Sequence, residues 1–89
     1  MITIHIPLIH RHLSDDVETY EVEGDTVGQC LTQLVKAFPL MQEAVFTDKG
    51  ELHHLVEIFV NSESAHPDEL ACPTEDGDEV HIITLLSGG

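Results

Sequence analysis

The sequence predicts a two-layer α+β domain, a mixed sheet of about four to five strands with one main helix packed on one face. Three observations lead there. A central segment carries a helical apolar stripe, a period-2 apolar run lies before it, and further strand-like apolar runs follow it. The chain has 89 residues, 42% of them hydrophobic, which is enough for one core and leaves no room for a second.

The first strand is predicted at Ile2, Ile4 and Ile6, which alternate with Thr3, His5 and Pro7. Pro7 lacks an N–H, so pairing should end or bulge near it. Leu8 to Asp16 reads as a wide loop closed by Ser14-Asp15-Asp16. A second strand is expected over Val17 to Val22, with Tyr20 and Val22 on one face, stopping at Glu23-Gly24-Asp25.

The helix is the clearest element. Thr26 and Gln29 match a capping box, in which two side chains satisfy orphan N–H groups at the helix start. Val27, Cys30, Leu31, Leu34, Val35 and Phe38 form one continuous apolar stripe, which Pro39 ends. Lys36 lies in the last turn, where the helix dipole favours a cation. Leu40 to Phe46 reads as a short helical turn and Thr47-Asp48-Lys49-Gly50 as a tight turn.

Leu55 to Val60 is apolar on both faces except at Glu57, the pattern of an interior strand. Asn61-Ser62-Glu63 is a turn, Ser64 to Glu79 is mostly irregular, and Val80 to Leu85 is the final strand. Two N-terminal strands pair antiparallel, and a right-handed crossover through the helix returns the chain to the same sheet. This is the β-grasp arrangement. It occupies residues 1–86, with Ser87-Gly88-Gly89 as a separate C-terminal tail.

Charge restricts the partners. Three Lys+Arg against seventeen Asp+Glu give a net charge of -14, which argues against nucleic acid and anionic membranes. A basic protein surface is the better complement. The N-terminus has neither a basic region nor a small-residue cleavage site, and no apolar run approaches the ~18 residues of a membrane span. Cys30 and Cys72 form no CxxC pair. A cytoplasmic protein is expected.

The Gly88-Gly89 terminus is the central functional signal. At ~7% average glycine usage such a doublet arises by chance in roughly one chain in 200, so context has to support it. The glycines follow the last strand with no polar linker. Extended, Leu86 to Gly89 would reach ~13 Å. Without Cβ atoms the last two residues can thread a channel too narrow for others. A partner that must bring a protein carboxylate to ATP in a buried site needs such a tail.

At this point the whole chain, Met1 to Gly89, resembles the MoaD/ThiS family of sulfur carriers, relatives of ubiquitin. The residues that carry the resemblance are Gly24-Asp25-Thr26-Val27, Asp76-Gly77-Asp78-Glu79-Val80 and Ser87-Gly88-Gly89. Ile4-His5-Ile6-Pro7, Gly50-Glu51-Leu52-His53 and Val56-Glu57-Ile58-Phe59-Val60-Asn61 resemble the cysteine-biosynthesis branch. Family tails often carry a proline where this one has Leu85-Leu86.

The resemblance implies a mechanism. An E1-like adenylyltransferase activates the Gly89 carboxylate with ATP, a sulfur donor displaces AMP, and the thiocarboxylate attacks an activated small molecule on a second enzyme. That enzyme is cysteine synthase-like by preference, then of the molybdopterin synthase large-subunit kind, then of the thiamine pathway. Gly89 supplies the reacting atom, while Ser87 and Gly88 supply the thin approach. The protein is then a co-substrate, not an enzyme, and binds no cofactor itself.

A second site is expected on the sheet. His81, Ile83 and Leu85 share one face of the last strand, and Leu55 and Phe59 one face of the preceding one. If these face away from the helix they form a docking surface. The alternative is that the Leu40–Phe46 segment or the long loop covers them.

The other chemistry-bearing residues read as structural. His10-Arg11-His12 would put two imidazoles on one side of an extended chain, but His53-His54 lies elsewhere and no cysteine is spaced to complete a zinc site. Cys30 reads as an inert core residue, and Cys72 as a loop thiol in acidic surroundings. Asp76, Asp78 and Glu79 read as a polar turn, because the twelve-residue calcium loop is missing. Beside the sulfur carrier stand two other classes. A ubiquitin-like protein modifier would use the same tail, and a pure interaction module would use only the sheet face.

Overall fold

The computed structural model describes residues 1–85; the Ser87-Gly88-Gly89 tail and its boundary with the domain lie outside the described residues. Five strands and two α-helices are assigned: β1 Ile2–His5, β2 Thr19–Val22, α1 Val27–Ala37, α2 Gln42–Val45, β3 Val56–Val60, β4 Glu63–Ser64 and β5 Glu79–Thr84. The sheet order is β2-β1-β5-β3-β4. β1 pairs antiparallel with β2 and parallel with β5, while β3 pairs antiparallel with both β5 and β4. This is the mixed β-grasp sheet that the sequence predicts.

The core lies between one sheet face and α1. Ile2, Ile4, Val22, Val56, Ile58, Val80 and Ile82 point inward from the sheet and meet Val27, Cys30, Leu31, Leu34 and Val35 of the helix. Met41, Val45 and Phe46 close one side. Burying each large aliphatic chain contributes ~1.5–3 kcal/mol, so the helical stripe and the period-2 runs fix each other's orientation.

The helix start follows the predicted cap with one shift. Thr26 Oγ1 accepts from Gln29 N–H at 3.2 Å, but Gln29 Oε1 accepts from Asp25 N–H at 2.7 Å instead of from the cap residue itself. The helix ends at Ala37, with Phe38 N–H still donating to the Leu34 carbonyl.

Three segments differ from expectation. The wide loop contains a 3-10 helix, Leu8–Leu13, followed by a turn around the fully buried Ser14. The Ser14 hydroxyl bonds the carbonyls of Arg11 at 3.2 Å and Val17 at 3.0 Å, and Asp15 and Asp16 take φ of 54° and 63°. Aspartate tolerates that region because its short side chain bonds locally. Val17 donates to the Ser14 carbonyl, so β2 begins only at Thr19. Asn61 and Ser62, at φ of 50° and 72°, then turn the chain into the short edge strand β4, which the polar Glu63-Ser64 does not announce. A further 3-10 turn at Glu69–Ala71 packs on α1.

Among the described residues no helix is long and apolar enough to cross a membrane.

Candidate functional site

Strand alternation and the helix decide which side of the sheet is free. Val56, Ile58, Val80 and Ile82 are buried against α1, so Glu57, Phe59, His81 and Ile83 take the opposite face. Register places Phe59 beside His81, His81 beside His5, and Glu57 beside Ile83. Ile83 and Leu85 are 41% and 46% exposed, and Leu55, Phe59 and His81 are half-buried. Leu55 and Phe59, the partly buried apolar members, stand outside the core cluster. The five residues singled out in the sequence thus lie together along β3, β5 and their ends. The turn Pro39–Met41, where the Leu40–Phe46 segment begins, instead packs against α1 and the Leu8–Leu13 helix.

The polar part of this face is histidine and acid. His5 and His81 stack with ring centroids 4.0 Å apart and planes within 6°. Glu79 Oε1 lies 2.7 Å from His5 Nε2. Burial holds His81 below the usual imidazole range, His5 adds to that, and Glu79 opposes it. Glu21, Glu57 and Glu79 flank the apolar centre, and no strand of the sheet contributes Lys or Arg.

β5 leads toward the tail, and its end is held from two sides. Leu85 N–H donates to the Leu55 carbonyl at 2.7 Å, and Leu55 N–H donates to His53 Nδ1 at 3.1 Å. Across the strand, His10 Nε2 and Thr84 Oγ1 share a hydrogen bond of 2.9 Å. His10 is kept below the usual imidazole range chiefly by burial, then by His12 and His53. His53, far from His10 in the sequence, comes within electrostatic range of it in the fold, and its ring stacks on His54 at 4.7 Å. The fold also coils His10-Arg11-His12 into a 3-10 helix, not an extended chain.

The remaining candidates have structural partners. Burial pushes the Cys30 thiol up, and it sits 3.8 Å from Thr74 Oγ1. Cys72 is half-buried and free. Asp78 accepts from Glu75 N–H and from the Asn61 amide, both at 2.8 Å, and these bonds hold its carboxyl below the usual range. Among the described residues no three His, Cys, Asp or Glu side chains converge as a metal-binding group.

The ThiS family profile matches residues 6–89. Small archaeal modifier protein 1 of Haloferax volcanii is 40% identical over 70 residues, 78% of this chain and 77% of that one. Sulfur carrier protein CysO of Mycobacterium tuberculosis is 31% identical over 91 residues, covering 99% and 98%. The crystal structure of M. tuberculosis CysO matches with a TM-score of 0.86 at 29% identity, over 97% of this chain and 100% of that one. CysO in the Amycolatopsis orientalis BexX/CysO complex shares the fold, with a TM-score of 0.89 at 23% identity and 100% coverage of both chains. Sheet order, helix placement and sequence agree: the chain belongs to the ThiS/MoaD family of ubiquitin-like sulfur carriers and modifiers.

Proposed function

We propose that the protein carries sulfur on the carboxylate of Gly89. The observation that supports this most directly is that the family match runs through to residue 89, so the Ser87-Gly88-Gly89 end belongs to the shared sequence. The carboxylate oxygen attacks the α-phosphorus of ATP on an E1-like enzyme, displacing pyrophosphate. A sulfur nucleophile then attacks the acyl carbon, AMP leaves, and a thiocarboxylate remains. ATP is consumed by the partner, and the chain serves as co-substrate.

The sulfur carrier relative supports the carrier role, and the resemblance to the cysteine-biosynthesis branch ranks a cysteine synthase-like acceptor ahead of one of the molybdopterin or thiamine pathways. Two free cysteines suit a reducing, cytoplasmic setting. The outer face formed by Leu55, Phe59, His81, Ile83 and Leu85 docks the partners. Its apolar centre and acidic flank complement an apolar surface rimmed by Lys and Arg.

The test is accurate intact mass after incubation with the E1-like enzyme, ATP and sulfide. Exchange of one oxygen for sulfur is nearly isobaric with oxidation of Met1 or Met41, so thiol-selective alkylation and a C-terminal fragment ion are required. Alkylatable sulfur at Gly89, absent from a variant lacking Gly89, is expected. An unchanged Gly89 with demonstrably active enzyme overturns the reading.

A second reading rests on the Haloferax relative, whose name is that of a modifier. A modifier forms isopeptide bonds through Gly89 to lysines of other proteins. Conjugates that survive reduction and denaturation, and disappear without Gly89, would distinguish it.

A further inference from the structure

β5 ends at Thr84, close in sequence to Gly89, and the contacts at that point are specific. Thr84 shares the inward parity of Val80 and Ile82, yet it is only half-buried where they are buried, and it is met by His10. His10 comes from the Leu8–Leu13 helix, which buries none of its own side chains fully. Arg11 turns back, its Nε donating to the Ile6 carbonyl at 3.2 Å and its Nη1 lying 3.7 Å from Glu18. That anchors the short helix to the end of β1. The hydrogen bond from His10 to Thr84 then ties β5 to the same anchor.

We propose that His10 is a positioning residue for the chemistry of the tail: bonded to Thr84, it pins the end of β5 and fixes the place and direction in which the chain departs at Leu85. The inference rests on the reading that Gly89 is the reacting group. A short tail reaching into a narrow site makes productive encounters only when its root is held. Loss of the clamp lets the Leu85–Leu55 bond fray and enlarges the set of directions the enzyme must select from.

The geometry also predicts which substitutions keep the function. The contact uses Nε2, and the glutamine amide nitrogen reaches about as far along the side chain as Nε2 does. His10→Gln should therefore retain the bond, and His10→Ala should lose it. Thr84→Ser keeps the hydroxyl, whereas Thr84→Val keeps the shape and removes it.

The experiment measures two quantities on the full chain. One is hydrogen-exchange protection of the Leu85 amide, with the mid-strand amides of β5 as internal control. The other is steady-state activation by the E1-like enzyme. In His10→Ala and Thr84→Val, Leu85 protection should drop with mid-strand protection unchanged. Their kcat/KM should fall roughly five- to tenfold, mostly through KM, as expected for one lost hydrogen bond. His10→Gln and Thr84→Ser should stay near wild type. Wild-type protection and kinetics in Thr84→Val overturn the proposal. If the wild type forms no thiocarboxylate at all, the carrier reading fails separately. Leu85 protection then decides whether His10 pins the strand end: retained protection in His10→Ala overturns that role, and lost protection supports it.

Discussion

His5 and His81 lie face to face on the outer sheet surface, ring centroids 4.0 Å apart, with Glu79 beside His5. Two charged imidazoles at that separation would repel strongly, so the stack disfavours the charged form of His81. His81 is held below its usual range by burial and then by His5, and His10 chiefly by burial. In both cases the unfolded chain binds a proton, near pH ~6.5, before the folded chain does.

The sign follows from linkage. These two groups contribute stability that is full above about pH 6.5 and is lost as pH falls through the lower folded values. Acidification also relaxes repulsion within a chain of net charge -14, so the wild-type curve alone mixes two effects. The comparison is therefore with a His10→Gln/His81→Gln double variant in calorimetric melts from pH 7.5 to 5. The wild type should lose more melting temperature than the variant over that interval. Parallel curves would show that the two imidazoles do not couple to folding.

Adjacent residues of β5 should separate docking from folding. Ile83 is exposed and registers with Glu57, whereas Ile82 is buried. Ile83→Lys removes apolar surface but gains an opposite-charge cross-strand pair, worth roughly 0.2–1 kcal/mol. Its melting temperature should hold or rise slightly, while affinity for the proposed E1-like partner falls about tenfold or more. Ile82→Ala should instead cost about 2–5 kcal/mol of folding stability. Calorimetric titration and denaturant melts read the two effects. Unchanged partner affinity in Ile83→Lys would remove this face from the docking surface.

How much of this is visible in the sequence depends on the range of the interactions. The stripe from Val27 to Phe38 announces α1 because a single period places five buried side chains on one line. Alternation also tells that Phe59 shares a face with Leu55, and Ile83 with His81. It does not tell which face is covered, since that depends on where α1 packs. The Leu8–Leu13 helix carries no apolar period and fully buries none of its residues, so local pattern does not mark it. The meeting of His10 with Thr84 is long-range, made only when the sheet closes. The polar strand β4 is set by the positive φ of Asn61 and Ser62 more than by its own residues.

Gly28 reverses the usual rule for helical glycines. Replacing glycine by alanine inside a helix gains about 1 kcal/mol where space allows. Here a Cβ would lie 2.9 Å from the Leu70 carbonyl oxygen and 3.3 Å from Leu70 Cβ. That carbonyl belongs to the 3-10 turn Glu69–Ala71, which packs on α1 and has to shift. Gly28→Ala should lower the urea midpoint, a net loss of roughly 1–3 kcal/mol as for an overpacked site. A raised midpoint would mean that the turn yields freely and does not constrain the helix.

Thr74 straps the segment before β5 across the start of α1. Its hydroxyl donates to the Gly24 carbonyl at 2.8 Å, its N–H to the Asp25 carbonyl at 2.9 Å, and Val27 N–H donates to the Cys72 carbonyl at 2.9 Å. The side chain is buried, with Cys30 Sγ beside it. Thr74→Val preserves shape but removes the donor to Gly24, which should cost about 1–3 kcal/mol. Thr74→Ser keeps the bond and loses one methyl, about 1 kcal/mol. Cys30 is fully buried with its thiol pushed up by burial, so its alkylation reports opening of the strap. Under native conditions Cys30 should react fastest in Thr74→Val, slower in Thr74→Ser and slowest in the wild type. Equal rates would place the strength of the strap in its backbone bonds, with the hydroxyl adding little.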